Sequence, residues 1–177
     1  MSTKLLSRAE ILQALERLAA ELPSASPVEI VVGGGAALVL LYNAREATKD
    51  VDALALISVE PAVVRSAAGR VAEQMGLPED WLNEGAKGYL HGLVPGKVLF
   101  ERFPLTVRAV APQQLLAMKL SAWRDDVDIA DARLLLSKLT GNIDQVWSLT
   151  EPHVVPGREL KARYAFDDLW ELDRGRP

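Results

Sequence analysis

Residues 28–57 read VEIVVGGGAALVLLYNAREATKDVDALALI. Ile30, Val31 and Val32 are β-branched and suit a buried strand. Gly33, Gly34 and Gly35 then break it. Ala36 to Tyr42 is an apolar segment long enough for a short helix. A polar turn follows with Arg45, Thr48 and Lys49, and Asp50-Val51-Asp52 opens a second apolar run, Ala53 to Ile57. The expected order is strand, glycine turn, short helix, loop, strand.

Asp50 and Asp52 are two residues apart. On an extended chain such residues project to one face. Two neighbouring carboxylates repel each other, and a divalent cation offsets that repulsion. Mg²⁺ suits such a pair, since it takes one or two carboxylates together with phosphate oxygens of a substrate. The glycine turn supplies the other half of a phosphate site. Residues without Cβ let backbone N–H groups approach a phosphate, and the helix N-terminus that follows favours negative charge. Taken alone, a glycine triplet is an ordinary turn and an Asp-x-Asp an ordinary cap. In this order and spacing they predict phosphoryl chemistry.

The pattern Gly-Gly-x-Ala…Arg-x-x-Thr-x-Asp-x-Asp resembles the polymerase β-type nucleotidyltransferase superfamily. The nearest likeness is to its small bacterial branch that includes AbiEii-type toxin nucleotidyltransferases. Gly33, Gly34, Arg45, Thr48, Asp50 and Asp52 carry the match. A second segment, Leu115 to Leu136, also resembles that branch, with a lysine on a helix followed by an Arg/Asp-rich stretch. Together they cover about half of the chain.

The resemblance implies an α/β (α+β) fold, a small mixed sheet flanked by helices. It implies transfer of a nucleoside monophosphate from Mg-NTP to an acceptor hydroxyl. Asp50 and Asp52 would hold Mg²⁺, with Glu101 as the third metal carboxylate. Gly33, Gly34 and Gly35 would cradle the triphosphate, with Arg45 and Thr48 beside it. Lys119, inside the apolar run Leu115 to Leu120, would point at Asp50 and Asp52 and bind the nucleotide phosphates. RNA such as tRNA is the implied acceptor, in a toxin–antitoxin setting with a protein antitoxin or regulator as partner. The alternative is a catalytically degenerate member that binds a nucleotide or a protein partner. Its motive is the lack of an obvious third acid: the strand after Glu101 carries Arg108 instead.

Composition narrows the field. The chain has 177 residues, 49% of them hydrophobic and 25% charged, which suits one globular domain with a proper core. The expected division is a core over about 25–111 and a helical part over 112–177. There is no cysteine, so disulfides, zinc–thiolate sites and cysteine nucleophiles are excluded. The two histidines, His91 and His153, lie in loop-like stretches far apart in sequence, which speaks against a histidine metal site or a Ser-His-Asp triad. A net charge of −4 speaks against broad binding of nucleic acid over the whole surface. Charges interrupt the apolar positions of the first eighteen residues, and no apolar run is long enough to span a bilayer. The expectation is a cytoplasmic protein that does not meet a membrane.

Outside the central stretch, Ser7 and Glu10 form a capping box for a helix to Leu22. Pro61 opens a helix to Met75 that Gly76 closes. Val98–Phe103 and Leu105–Val110 read as strands, and Pro112 opens a helix. A helix from Ile129 is expected to take Asp128 as its cap, with Asp131 and Arg124 ordering Lys119. The last helix is expected to bury Leu160, Tyr164, Leu169 and Leu172.

Overall fold

The structure, a computed structural model, describes residues 5–175. It is of mixed α/β class and forms two compact units. The first holds residues up to Lys87 together with Pro95–Val110; the second holds Gly88–Val94 and everything from Ala111 on. The division after Val110 falls one residue from the expected end of the core, but segment 88–94 leaves the core for the helical unit.

In the first unit, strand β1 (Leu6–Ser7) runs into helix α1 (Arg8–Glu21). Ser7 Oγ accepts from Glu10 N at 3.3 Å while Ser7 N donates to the Glu10 carboxylate at 3.0 Å, so the capping box closes from both sides. Ile11, Ala14, Leu15, Leu18 and Ala19 are the buried stripe of α1, and its densest helix contact is with α3.

The central stretch folds as β2 (Val28–Gly33), α2 (Gly34–Tyr42), β3 (Ala47–Thr48) and β4 (Val51–Ile57). The helix begins two residues earlier than expected. Only Gly33 precedes it, as an extended N-cap, so the triplet is a strand-to-helix junction and not a free loop. Asn43 closes α2 in the left-handed region, as its short polar side chain tolerates. β3 pairs with β1.

Helix α3 (Pro61–Met75) crosses from β4 to the parallel strand β5 (Leu82–Asn83). Trp81, fully buried, anchors this return: its indole N–H donates to Ala68 O at 3.0 Å, and its own carbonyl accepts from Val51 N at 2.7 Å. β6 (Pro95–Arg102) and β7 (Leu105–Val110) form a hairpin through Phe103-Pro104. The five-stranded sheet has the order β5-β4-β2-β7-β6. β2 is antiparallel to β4 and parallel to β7.

The second unit is helical: α4 (Pro112–Ala122), α5 (Asp126–Lys138), α6 (Ile143–Thr150) and α7 (Glu159–Arg174). Trp147, Phe166 and Trp170 stack in tilted contacts with centroids 5.1 and 5.8 Å apart. Two expectations are corrected here. The cap of α5 is Asp125, which accepts from Asp128 N at 3.0 Å, because Asp128 is drawn inward by cations. The buried face of α7 is Ala162, Ala165, Phe166, Leu169 and Trp170, so Leu160, Tyr164 and Leu172 lie in solvent and only Leu169 is inward as expected. The aromatic cluster, with far more area to bury, sets the rotation of this helix.

Candidate functional site

The site grows out of the junction between β2 and α2. A register shift between Val31 and Val32 brings Gly33 opposite Asp52 on β4. Asp52 therefore stands beside the first turn of α2. The approach is closest at Gly34: a Cβ there would overlap the Asp52 carboxylate Oδ2 and lie 3.2 Å from its Cγ. Gly34 also has φ +59°, in the left-handed region that glycine enters without steric cost. At Gly35 a Cβ would sit 2.5 Å from Thr48 Oγ1 and 3.7 Å from Arg45 Cζ. Two consecutive missing side chains thus let one carboxylate, one hydroxyl and one guanidinium close on the start of a helix. The first backbone N–H groups of any helix lack intrahelical partners and carry its positive dipole end. Asp52 lies at that end.

Asp50, just before β4, takes a different partner. Its Oδ2 accepts from Asn83 Nδ2 at 2.8 Å. Asn83 is itself held three ways: the same amide donates to Asp80 O at 3.1 Å, and its Oδ1 accepts from Gly85 N at 2.7 Å. β5 is only two residues long, yet its register sets Asn83 directly beside Asp52. Asp52 Oδ1 in turn accepts from Ala86 N at 3.2 Å. The segment Asn83 to Ala86 therefore bridges the two aspartates. Nothing in the sequence marked Asn83. Its only signal was a polar residue after the apolar pair Trp81-Leu82, in a stretch too short for periodicity.

Gly33, Gly34, Gly35, Arg45, Thr48, Asp50 and Asp52 are thus brought together. One expected member is not. Glu101 is a correction. It pairs with Thr106, which lies beside Glu29, while Asp52 lies beside Gly33. Glu29 and Gly33 are four residues apart on β2, about 13 Å of extended chain. Glu101 is also two strands further across the sheet and exposed, so it cannot share an ion with Asp52. Among the described residues no group of three or more acidic, histidine or cysteine side chains is arranged to hold a metal ion. Asp50 and Asp52 offer two carboxylates, a set that would suit only an ion completing its shell with phosphate and water oxygens.

Lys119 belongs to the helical unit. Its ammonium lies 2.9 Å from Asp128 Oδ1 and 2.8 Å from Asp131 Oδ2, both within the helical unit. Asp131 orders it as expected, and Asp128 joins. Arg124 completes the cluster through Nε to Asp128 Oδ2 at 3.0 Å. Burial acts to raise the Asp128 pKa, but the hydrogen bonds from Arg124 and Lys119 outweigh it and hold the carboxyl at about 2. The charge that made Lys119 conspicuous is balanced locally, and Asp50 and Asp52 are not needed to explain it.

The chain matches no known family model, no characterised protein and no solved structure in the comparisons made. No helix among the described residues is long and apolar enough to cross a membrane.

Proposed function

We propose that the junction of β2 and α2 binds the triphosphate of a nucleotide and that the chain transfers a nucleoside monophosphate to an acceptor hydroxyl. One observation carries this reading: Gly34 and Gly35 lack side chains where Asp52, Thr48 and Arg45 close on the start of α2. An aspartate set against a helix start is the counter-pole for a cation that a polyphosphate would bring. Asp50 and Asp52 would hold Mg²⁺, and the Asn83 amide, which donates to Asp50, fixes its orientation. When bound, the ion would supply charge neutralisation at the triphosphate and a lowered pKa at the acceptor hydroxyl. The first-turn N–H groups of α2 and the Arg45 guanidinium take phosphate oxygens, and Thr48 orients one of them. In the transfer the acceptor oxygen bonds to the α-phosphorus, the bond to the bridging β-phosphate oxygen breaks, pyrophosphate leaves and the hydroxyl proton passes to water. RNA is the acceptor class proposed, and a protein antitoxin the proposed regulator. Both rest on the resemblance of Gly33 to Asp52.

The second reading is nucleotide binding without transfer. It is favoured by the position of Glu101 in another row of the sheet. One experiment addresses both. Radiolabelled NTP is offered with Mg²⁺ to the wild type and to Asp50→Asn with Asp52→Asn. Binding and label incorporation into RNA, both lost in the double variant, support transfer. Binding without incorporation favours the second reading. Undiminished binding by a folded double variant refutes the assignment of the nucleotide's ion to Asp50 and Asp52.

A further inference from the structure

α3 does not close fully against β4 and β5. A cavity of about 340 Å³ remains. Its lining is mixed: Ala53 and Leu56 of β4, Val64 and Ala68 of α3, and Leu82 form the apolar part, beside the polar and charged residues taken up below. A volume of a few hundred cubic ångströms with apolar walls and a few polar groups is what a small-molecule site needs.

Two features separate this cavity from a packing fault. The first is Gly69, in the middle of α3 and on the wall. Glycine in a helix interior is a destabilising choice. A Cβ at Gly69 would meet nothing within 4 Å, so no neighbour demands the glycine. Its visible effect is open space. The second is charge. Glu79, Asp80 and Glu84 line the mouth against one guanidinium, Arg65. Glu84 is engaged by Lys87, which leaves Glu79 and Asp80 to set the sign of the field at the entrance. An apolar hole with an acidic mouth selects an apolar body that carries a positive charge at one end.

We infer that the cavity between α3, β4 and β5 is a binding site for a small organic cation with an apolar or aromatic body and an ammonium end. The body fills the space beside Gly69, and the ammonium meets Glu79 and Asp80. Asn83 also lines the cavity, so the occupant lies against the residue that holds Asp50. The inference does not need the chain to be a nucleotidyltransferase, and it is tested without nucleotide.

The probes are tryptamine and indole-3-acetate, which share a ring system and differ in charge. Methyl-resolved NMR titration of the full chain reads the signals of Ala53, Val64, Ala68 and Leu82. Tryptamine is expected to shift them saturably, at an affinity at least about tenfold tighter than indole-3-acetate. Gly69→Leu puts a good helix former into the empty space and is expected to raise the melting temperature and to abolish the tryptamine response. Glu79→Gln with Asp80→Asn is expected to keep the fold and to erase the preference for the amine. No saturable shift with tryptamine overturns the inference. So does an unchanged response in Gly69→Leu, or equal affinity for both probes in the wild type.

Discussion

Gly34→Ala isolates the contact that builds the site. The added methyl would meet two penalties. The backbone at Gly34 has φ +59°, which costs an L-residue about 1–2 kcal/mol relative to the right-handed region. The Cβ would also overlap Asp52 Oδ2, and pushing a side chain out of a packed position costs about 1–3 kcal/mol. The expected destabilisation is about 3 kcal/mol, with the Asp52 carboxylate driven away from α2. In an Asp52→Ala background the oxygen is gone, and the nearest atom left on residue 52 is the Cβ, 3.6 Å from the new methyl and an ordinary contact. Only the backbone term then remains, about 1–2 kcal/mol. A double-mutant cycle by urea denaturation, followed by far-UV circular dichroism, should give a coupling of about 1–3 kcal/mol. Equal costs of Gly34→Ala in both backgrounds would refute the reasoning, because the carboxylate would then not stand against the helix start.

The remaining predictions concern the ion cluster of the second unit. Lys119→Met should destabilise by about 3 kcal/mol, since it leaves the buried Asp128 and Asp131 carboxylates short of a cation; a near-neutral melt would mean that the pair is not formed. Asp128 gives a pH dependence. Its folded pKa, about 2, is depressed below the ordinary 3.8, so its stabilisation is complete above the unfolded value and is lost as pH falls through the folded one. The difference is about 2 kcal/mol at 1.36 kcal/mol per unit. The stability gap between wild type and Asp128→Asn should narrow by that amount between about pH 5 and pH 2 in urea titrations. A gap that does not change with pH would remove the ion pairs from the account.

Much of the first unit was legible because its signals are local. Ser7 and Glu10 sit three apart and can only satisfy each other at a helix start. Gly33 to Gly35 end a β-branched run, and the strand–helix–strand order follows from that break. Distances across the sheet were not legible. Alternation along Val98–Phe103 says which residues share a face, but not which row of the sheet each one joins. Glu101 was therefore a plausible metal ligand until its pairing with Thr106 placed it in the Glu29 row. Asn83 was missed for a related reason: a two-residue strand carries no period, and its register comes from the buried Trp81 and the crossover of α3.

Lys119 shows where one kind of inference reaches its end. A lysine inside Leu115 to Leu120 must have an acidic partner, because burying an unpaired ammonium costs several kcal/mol. Burial fixes the existence of a partner and not its address. Four aspartates, at 125, 126, 128 and 131, follow within twelve residues, and each could cap a helix or hold a cation. The structure divides these roles by geometry. Asp125 precedes the first turn of α5 and takes the cap. Asp128 and Asp131 are three apart on α5, and so share the face on which Lys119 lies. Arg124, four residues before Asp128, closes the cluster from the other side. A local solution was available nine residues away, at a far lower cost in chain closure than Asp50 and Asp52, some seventy residues back. Where a buried charge has acids on the very next helix, the nearer partner is the better expectation, and a distant catalytic role then needs its own evidence.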